Sequence, residues 1–229
     1  MAEVSELRLK LSSEAKRTLT NSLLSDRFGI VVAGKRCIVA AIKSDSLFAR
    51  DSDPNSGVLL TVLGLAGSET QKRECEAELN HLESALKSTF SARDLNLFLV
   101  QDFLCCYLEQ NFYSSKSEKP LALELILVEV AVNELLVSTI KFDGEAQPFG
   151  DKSGIRIIGC TDPEKRKKVQ ECFEGKNLGE MPVKELEVLV QHITTFFEGT
   201  FGMRSWNLKK KSARAPKKTP EKIAGHDEK

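Results

Sequence analysis

Two periods of apolar residues alternate along this chain. Near-continuous runs rich in Val, Ile and Leu fall at 28–33, 36–43, 58–63, 121–132, 135–142 and 154–159. Such runs predict strands buried on both faces. A shorter, strictly alternating run, Leu-Arg-Leu-Lys-Leu at 7–11, predicts a half-buried strand. Gly34-Lys35 joins the first two long strands as a two-residue turn of the kind that uses positive φ. Asn133-Glu134 and Asp143-Gly144 mark two further turns, the second leading into 145–149. Residues 44–56 are rich in Ser, Asp, Pro and Asn and read as a loop.

Between the strands, apolar positions recur three and four apart. Ser12 or Ser13 caps a helix running to Leu24. Ser68-Glu69-Thr70-Gln71 forms a capping box. The helix it opens sets Cys75, Leu79, Leu82 and Leu86 on one face, opposite Lys72, Arg73, Glu76, Glu78 and Glu83. A helix over 93–112 carries Leu95, Phe98, Leu99, Phe103, Leu104, Cys106 and Tyr107 on more than one stripe, which predicts a sandwiched or interfacial helix. Its aromatic residues Phe98, Phe103, Tyr107 and Phe112 are the candidate interface. Asp162-Pro163 starts a helix with Lys165, Arg166, Lys167 and Lys168 outside and Val169, Cys172 and Phe173 inside. The last helix, 183–198, aligns Leu186, Leu189, Val190, Ile193 and Phe197 and ends at Gly199.

Strands then paired helices, twice over, predict an α+β fold. Two antiparallel sheets covered by two helix layers, a four-layer αββα sandwich, satisfy that order. The expected organisation is an N-terminal extension at 1–27, one domain at 28–203 and a tail at 204–229.

Composition sharpens the picture. Apolar residues make up 41% of the 229, enough for a sizeable core. The net charge is zero, yet residues 204–229 hold nine Lys or Arg against three Asp or Glu, leaving 24 against 30 in the rest. The body is mildly acidic and the tail basic, so nucleic-acid contact, if any, is a weak property of the tail. Beyond Trp206 apolar residues are too sparse to offset ordering entropy, which predicts disorder. No apolar run is long enough to span a membrane, and the first ten residues lack the apolar core of a secretory signal. A reducing setting in nucleus and cytoplasm is expected.

Several segments carry a family resemblance, over roughly residues 28–200. Gly34-Lys35-Arg36-Cys37-Ile38-Val39-Ala40-Ala41 resembles the second strand of 20S proteasome subunits after its basic turn. Gly64-Leu65-Ala66-Gly67 and the following helix resemble that family's glycine turn before its first long helix. Phe142-Asp143-Gly144 and Ile158-Gly159 resemble its Asp-Gly turn and the end of a later strand. The resemblance implies the N-terminal-nucleophile hydrolase fold.

In active members a Thr opening the first strand is both nucleophile and, through its amine, base. An Asp ends the second strand, and a Lys further on lowers the pKa of the nucleophile. A hydroxyl stays inert without such help. Here the first position falls near Asp26-Arg27, the second is Ile42, and Pro54 to Leu59 holds no Lys. The α-type signature, a Tyr-Asp, a Ser-Pro-Glu-Gly-Arg run and a Gln-x-Glu-Tyr-Ala helix, is also missing. The expectation is therefore a non-catalytic, proteasome-like protein with no cofactor or metal and with no catalytic residues. It would act in protein–protein assembly, as a noncanonical subunit or an assembly factor, with proteasome-type subunits as partners. Two rivals stand beside it: an interaction module of a nuclear complex, and a hydrolase using Ser25 after a cut behind Leu24.

Other chemistry is sparse. The cysteines Cys37, Cys75, Cys105, Cys106, Cys160 and Cys172 form no C-x-x-C pair. His81 and His192 have no ligand partner four residues away on either side. Glu124 and Glu129 interrupt an apolar strand and read as carboxylates on a solvent face, at a subunit contact, or as an acid–base pair. Lys209, Lys210, Lys211, Arg214, Lys217 and Lys218 resemble a nuclear import signal, or simply a solubilising tail.

Overall fold

The structure is a computed structural model, and it describes residues 12–44, 47–51, 59–89, 96–113, 121–131, 134–149 and 154–208. The expected strand at 7–11 and the basic cluster from Lys209 to Lys218 lie outside that set, as do the side chains of Cys75, Leu79, Leu82 and Leu86.

Helix α1 (Ser13–Leu24) precedes four strands, β1 (Phe28–Ala33), β2 (Cys37–Lys43), β3 (Leu47–Asp51) and β4 (Leu59–Ala66). Helices α2 (Glu69–Thr89) and α3 (Leu97–Tyr113) follow. Then come β5 (Leu123–Val130), β6 (Leu135–Ile140), β7 (Ala146–Pro148) and β8 (Gly154–Gly159), helices α4 (Pro163–Glu171) and α5 (Val183–Thr194), and β9 (Phe201–Asn207). The strands form two antiparallel sheets, ordered β8-β1-β2-β9 and β3-β4-β5-β6-β7. The fold is thus mixed α+β.

Strand alternation assigns each sheet face to a cluster. Val31, Ile38, Ile42 and Trp206 of the first sheet meet Leu63, Leu65, Ile126 and Val128 of the second in one buried cluster. On its other face the first sheet packs Phe28, Ile30, Val39 and Ala41 against Val169, Leu186, Val190 and Ile193 of α4 and α5. The second sheet packs Leu60, Val62, Leu125 and Leu127 against Leu97, Val100, Leu104 and Leu108 of α3. Both central strand pairs are therefore covered on both faces, as their continuous apolar runs require.

Four details depart from expectation. Residues 47–51, expected as loop, form the edge strand β3, in register with β4 from Leu47↔Leu65 to Asp51↔Thr61. Pairing with a strong neighbour overrides the polar flanks of so short a segment. The segment after Gly199 becomes β9, paired with β2 from Phe201↔Lys43 to Asn207↔Cys37. Trp206 is buried in the inter-sheet cluster, so the folded domain runs past the expected boundary at 204. Gly34 is not among the positive-φ residues. Its amide donates to the Cys37 carbonyl, and a Cβ there would sit 2.8 Å from the Leu178 carbonyl oxygen, so close approach is what calls for glycine. Finally, α5 stops at Thr194, where the Thr194 and Thr195 hydroxyls donate to the Gln191 and His192 carbonyls. Phe197 lies beyond the helix and stacks on Phe28 at 3.6 Å.

The described part of the expected N-terminal extension, from Ser12 on, is joined to the body. Ser12 caps α1, accepting from the Ala15 amide at 3.2 Å. Lys16 is buried and its Nζ donates to the Phe112 carbonyl at the end of α3, at 2.8 Å. Arg17 pairs with Asp143 at 2.9 Å and lies over the rings of Phe112 and Phe142.

Candidate functional site

The ends of β1, β2 and β8 converge with the start of α4 and the turn after α5 around a cleft of about 450 Å³. The chain enters it from α1. Ser25 caps that helix, its hydroxyl donating to the Ser22 carbonyl at 2.8 Å. Arg27 follows, with Nη2 donating to the Gly67 carbonyl at 3.3 Å and the backbone carbonyl accepting from the Cys160 amide at 2.8 Å. That last contact depends on Gly159. Its φ is +63°, and a Cβ there would lie 2.7 Å from the Arg27 carbonyl oxygen and 2.6 Å from Leu65 Cδ2. Cys160 also takes a positive φ, 44°.

Two aromatic rings are among the lining residues. Phe28 stacks on Phe197, and Lys165, on the first turn of α4, lies over Phe197 at 5.8 Å. Lys43, ending β2, donates from Nζ to the Asp26 carbonyl at 3.3 Å. The Asp26 and Glu198 side chains complete the lining. The N-terminus of α4 is already satisfied, because Asp162 accepts from the Glu164 and Lys165 amides. Arg166, expected on the outer face, instead turns inward and donates to the Cys160 and Gly159 carbonyls.

This cleft lacks an activated nucleophile among its described groups. The position expected to carry a catalytic Asp is Ile42, fully buried in the inter-sheet cluster. Ser25 sits in a helical turn and spends its proton on its own helix. Cys160 is buried, with Sγ 3.9 Å from the Asp162 carbonyl oxygen. Burial pushes its thiol pKa up, outweighing the lowering by that contact and by Arg166, so it stays protonated near neutral pH.

The two strand carboxylates do not form an acid–base pair. Glu124 and Glu129 are an odd number of residues apart on β5, so they leave opposite faces of the sheet. Neither faces solvent. Glu124 crosses to the other sheet and accepts from the Gly159 amide, behind the cleft. Burial raises its pKa; the Gly159 hydrogen bond, then Arg166 and Lys141, oppose that, and Asp143 adds to the rise. Glu129 accepts from the Leu97 amide and so caps α3. Three-carbon reach from a strand to a helix end is invisible to any local motif.

Of the candidate interface aromatics, Phe98 and Phe103 are exposed on α3 and Tyr107 is half-buried against the second sheet's cluster. Phe112 leaves that surface: it is 1% exposed, packed on Tyr113 and Phe142. The helix turns it toward the core at the same pitch as Leu104 and Leu108. Tyr113, 56% exposed, takes its place in the outer stripe. Across the fold, α5 exposes Val188 beside Met181, Lys184, Leu189 and His192, which line a shallow groove of about 480 Å³.

His81 is exposed on α2, and His192 meets Phe196 edge-on. Among the described residues no three His, Cys, Asp or Glu side chains are grouped to hold a metal ion, and no helix is long and apolar enough to cross a membrane. The described cysteines are free. No family model matches the chain, and no curated protein matches it.

Proposed function

We propose that this chain is a catalytically silent relative of 20S proteasome subunits that works through protein–protein assembly, as a noncanonical subunit or an assembly factor. One observation carries the reading: helix pairs interrupt the two antiparallel sheets after β4 and after β8, with one apolar cluster between the sheets and one beneath each helical cover. This arrangement supports reading the fold as a four-layer αββα sandwich. The start of β1, where the family's nucleophile would stand, opens instead through Asp26 and Arg27 out of an intact helix. Ile42, at the position the resemblance would give to the family's Asp, is buried. A fold kept without its chemistry retains its surfaces. The exposed aromatic stripe of α3 and the Val188 face of α5 are the surfaces offered for docking.

The experiment is purification of a tagged copy from its own cells, followed by mass analysis of the intact complex. Proteasome-type subunits in stoichiometric ratio are expected. A monomer, or a complex free of such subunits, overturns the reading of its partners. Intact mass of the same material tests the hydrolase rival: loss of the first 24 residues, exposing Ser25, would revive it.

A further inference from the structure

The cleft at the start of β1 holds more positive charge than its own carboxylates use. Lys43 makes one hydrogen bond, to the Asp26 backbone carbonyl, and Lys165 lies over the Phe197 ring. Neither ammonium forms an ion pair with a described carboxylate. Both nonetheless line one cleft, from different elements, together with the stacked pair Phe28 and Phe197. A volume of about 450 Å³ is that of a small-molecule site. From this geometry we infer that the cleft binds a phosphate monoester carried on a flat apolar body, with Lys43 and Lys165 on the phosphate and Phe197 against the body.

The chemistry of the lining selects that class. Two ammonium groups from separate elements act as point charges and match the two charges of a phosphate monoester better than the single charge of a carboxylate. The one guanidinium of the lining, Arg27, is directed at the Gly67 carbonyl. Asp26 and Glu198 share the lining, and their charges repel a polyanion running past a single head group. Nucleic acid and long polyphosphates are thereby disfavoured. The inference does not depend on any family relationship or on the assembly role.

The test is an amide-shift titration of the full chain at fixed ionic strength, using phenyl phosphate, inorganic phosphate and benzoate as probes. Saturable shifts at Arg27, Phe28, Cys160 and Glu198 are expected with phenyl phosphate. Inorganic phosphate should bind more weakly for want of the ring, and benzoate more weakly for want of the second charge. Lys43→Gln with Lys165→Gln should cost at least about tenfold in phenyl phosphate affinity, while shifts elsewhere stay native. Lys165→Gln alone, at an exposed position, should cost about threefold and guards against misfolding of the double variant. Non-saturable shifts, equal affinity for benzoate, or unchanged affinity in either variant overturns the inference. Loss of proteasome-type partners in the purification above would leave it untouched.

Discussion

Helices α3 and α5 cover opposite sides of the molecule and are held there by different physics. α5 has one fully buried apolar stripe, Leu186, Val190 and Ile193, and carries Val188 on its outer face. Its ends need little from far away: Pro182 precedes it without a side-chain cap, and two threonine hydroxyls close its last turn. α3 is apolar nearly all round and cannot choose a face by amphipathicity. It is fixed at both ends by charges from distant parts of the chain. The Glu129 carboxylate meets its first amide and the buried Lys16 ammonium meets the Phe112 carbonyl in its last turn. The two charges match the signs of the helix dipole, negative at the N-terminus and positive at the C-terminus. A stripe orients one helix; a pair of buried ions orients the other.

Truncating the stripe should have the largest effect. Val190→Ala in α5 should destabilise the protein by about 2–3 kcal/mol in denaturant unfolding, since a fully buried side chain leaves a void against Val39 and its neighbours. Unfolding should remain a single cooperative transition. A loss below about 1 kcal/mol would mean the site collapses freely and the stripe is not what secures α5.

Glu129→Leu should cost about 2 kcal/mol, because it strands the Leu97 amide in an apolar setting. Unlike the first variant, it should speed amide exchange first at the N-terminal turn of α3. Uniform loss of protection over the whole chain would contradict the local role of the cap.

Glu124 supplies a pH-dependent test on the same strand. Burial raises its carboxyl pKa in the folded chain above the ordinary value. The folded state then holds its proton where the unfolded state has released it. Stability contributed by the protonated form is therefore present below the ordinary carboxylate pKa and is lost as pH rises through the raised one. Glu124→Gln keeps an oxygen for the Gly159 amide and removes the titration. It should flatten the fall in stability with rising pH above the ordinary carboxylate range. A wild type and variant with parallel stability–pH curves would show that the pairing with Gly159 and Arg166 offsets burial completely.

The smallest effect is expected where the two sheets meet at their edges. Arg204 on β9 bonds both oxygens of Asp51 on β3, at 3.0 and 2.9 Å, with both side chains well exposed. Arg204→Ala should cost at most about 1 kcal/mol, shrinking further in salt. A larger loss would give this ion pair a share in holding the sheets together that solvent screening should deny it.

Period was enough to find most of the elements. The continuous Val/Ile runs became β1, β2, β4, β5, β6 and β8, and the Ser68 half of the capping box is formed, with the Gln71 amide donating to the Ser68 hydroxyl at 3.3 Å. The interior face of α5 was legible residue by residue through Ile193. The short edge strands β3 and β9 were not, because Leu47–Asp51 and Phe201–Asn207 owe their conformation to β4 and β2. The cleft was legible only in part. Asp26 could be marked in sequence, but Lys43, Lys165 and Phe197 come together from three separate segments.

By itself the sequence determined where the helices and the long central strands would lie and that two sheets would need covering, because periodicity and turn chemistry act over a few residues. Tertiary structure alone decided the partners of the charged groups: Lys16 under α3, Glu124 reaching Gly159, Arg166 turned inward, Lys165 over Phe197 and Lys43 on the Asp26 carbonyl. Electrostatic pairing depends on distance in space and on the exclusion of water, and neither is written in the spacing of residues along a chain.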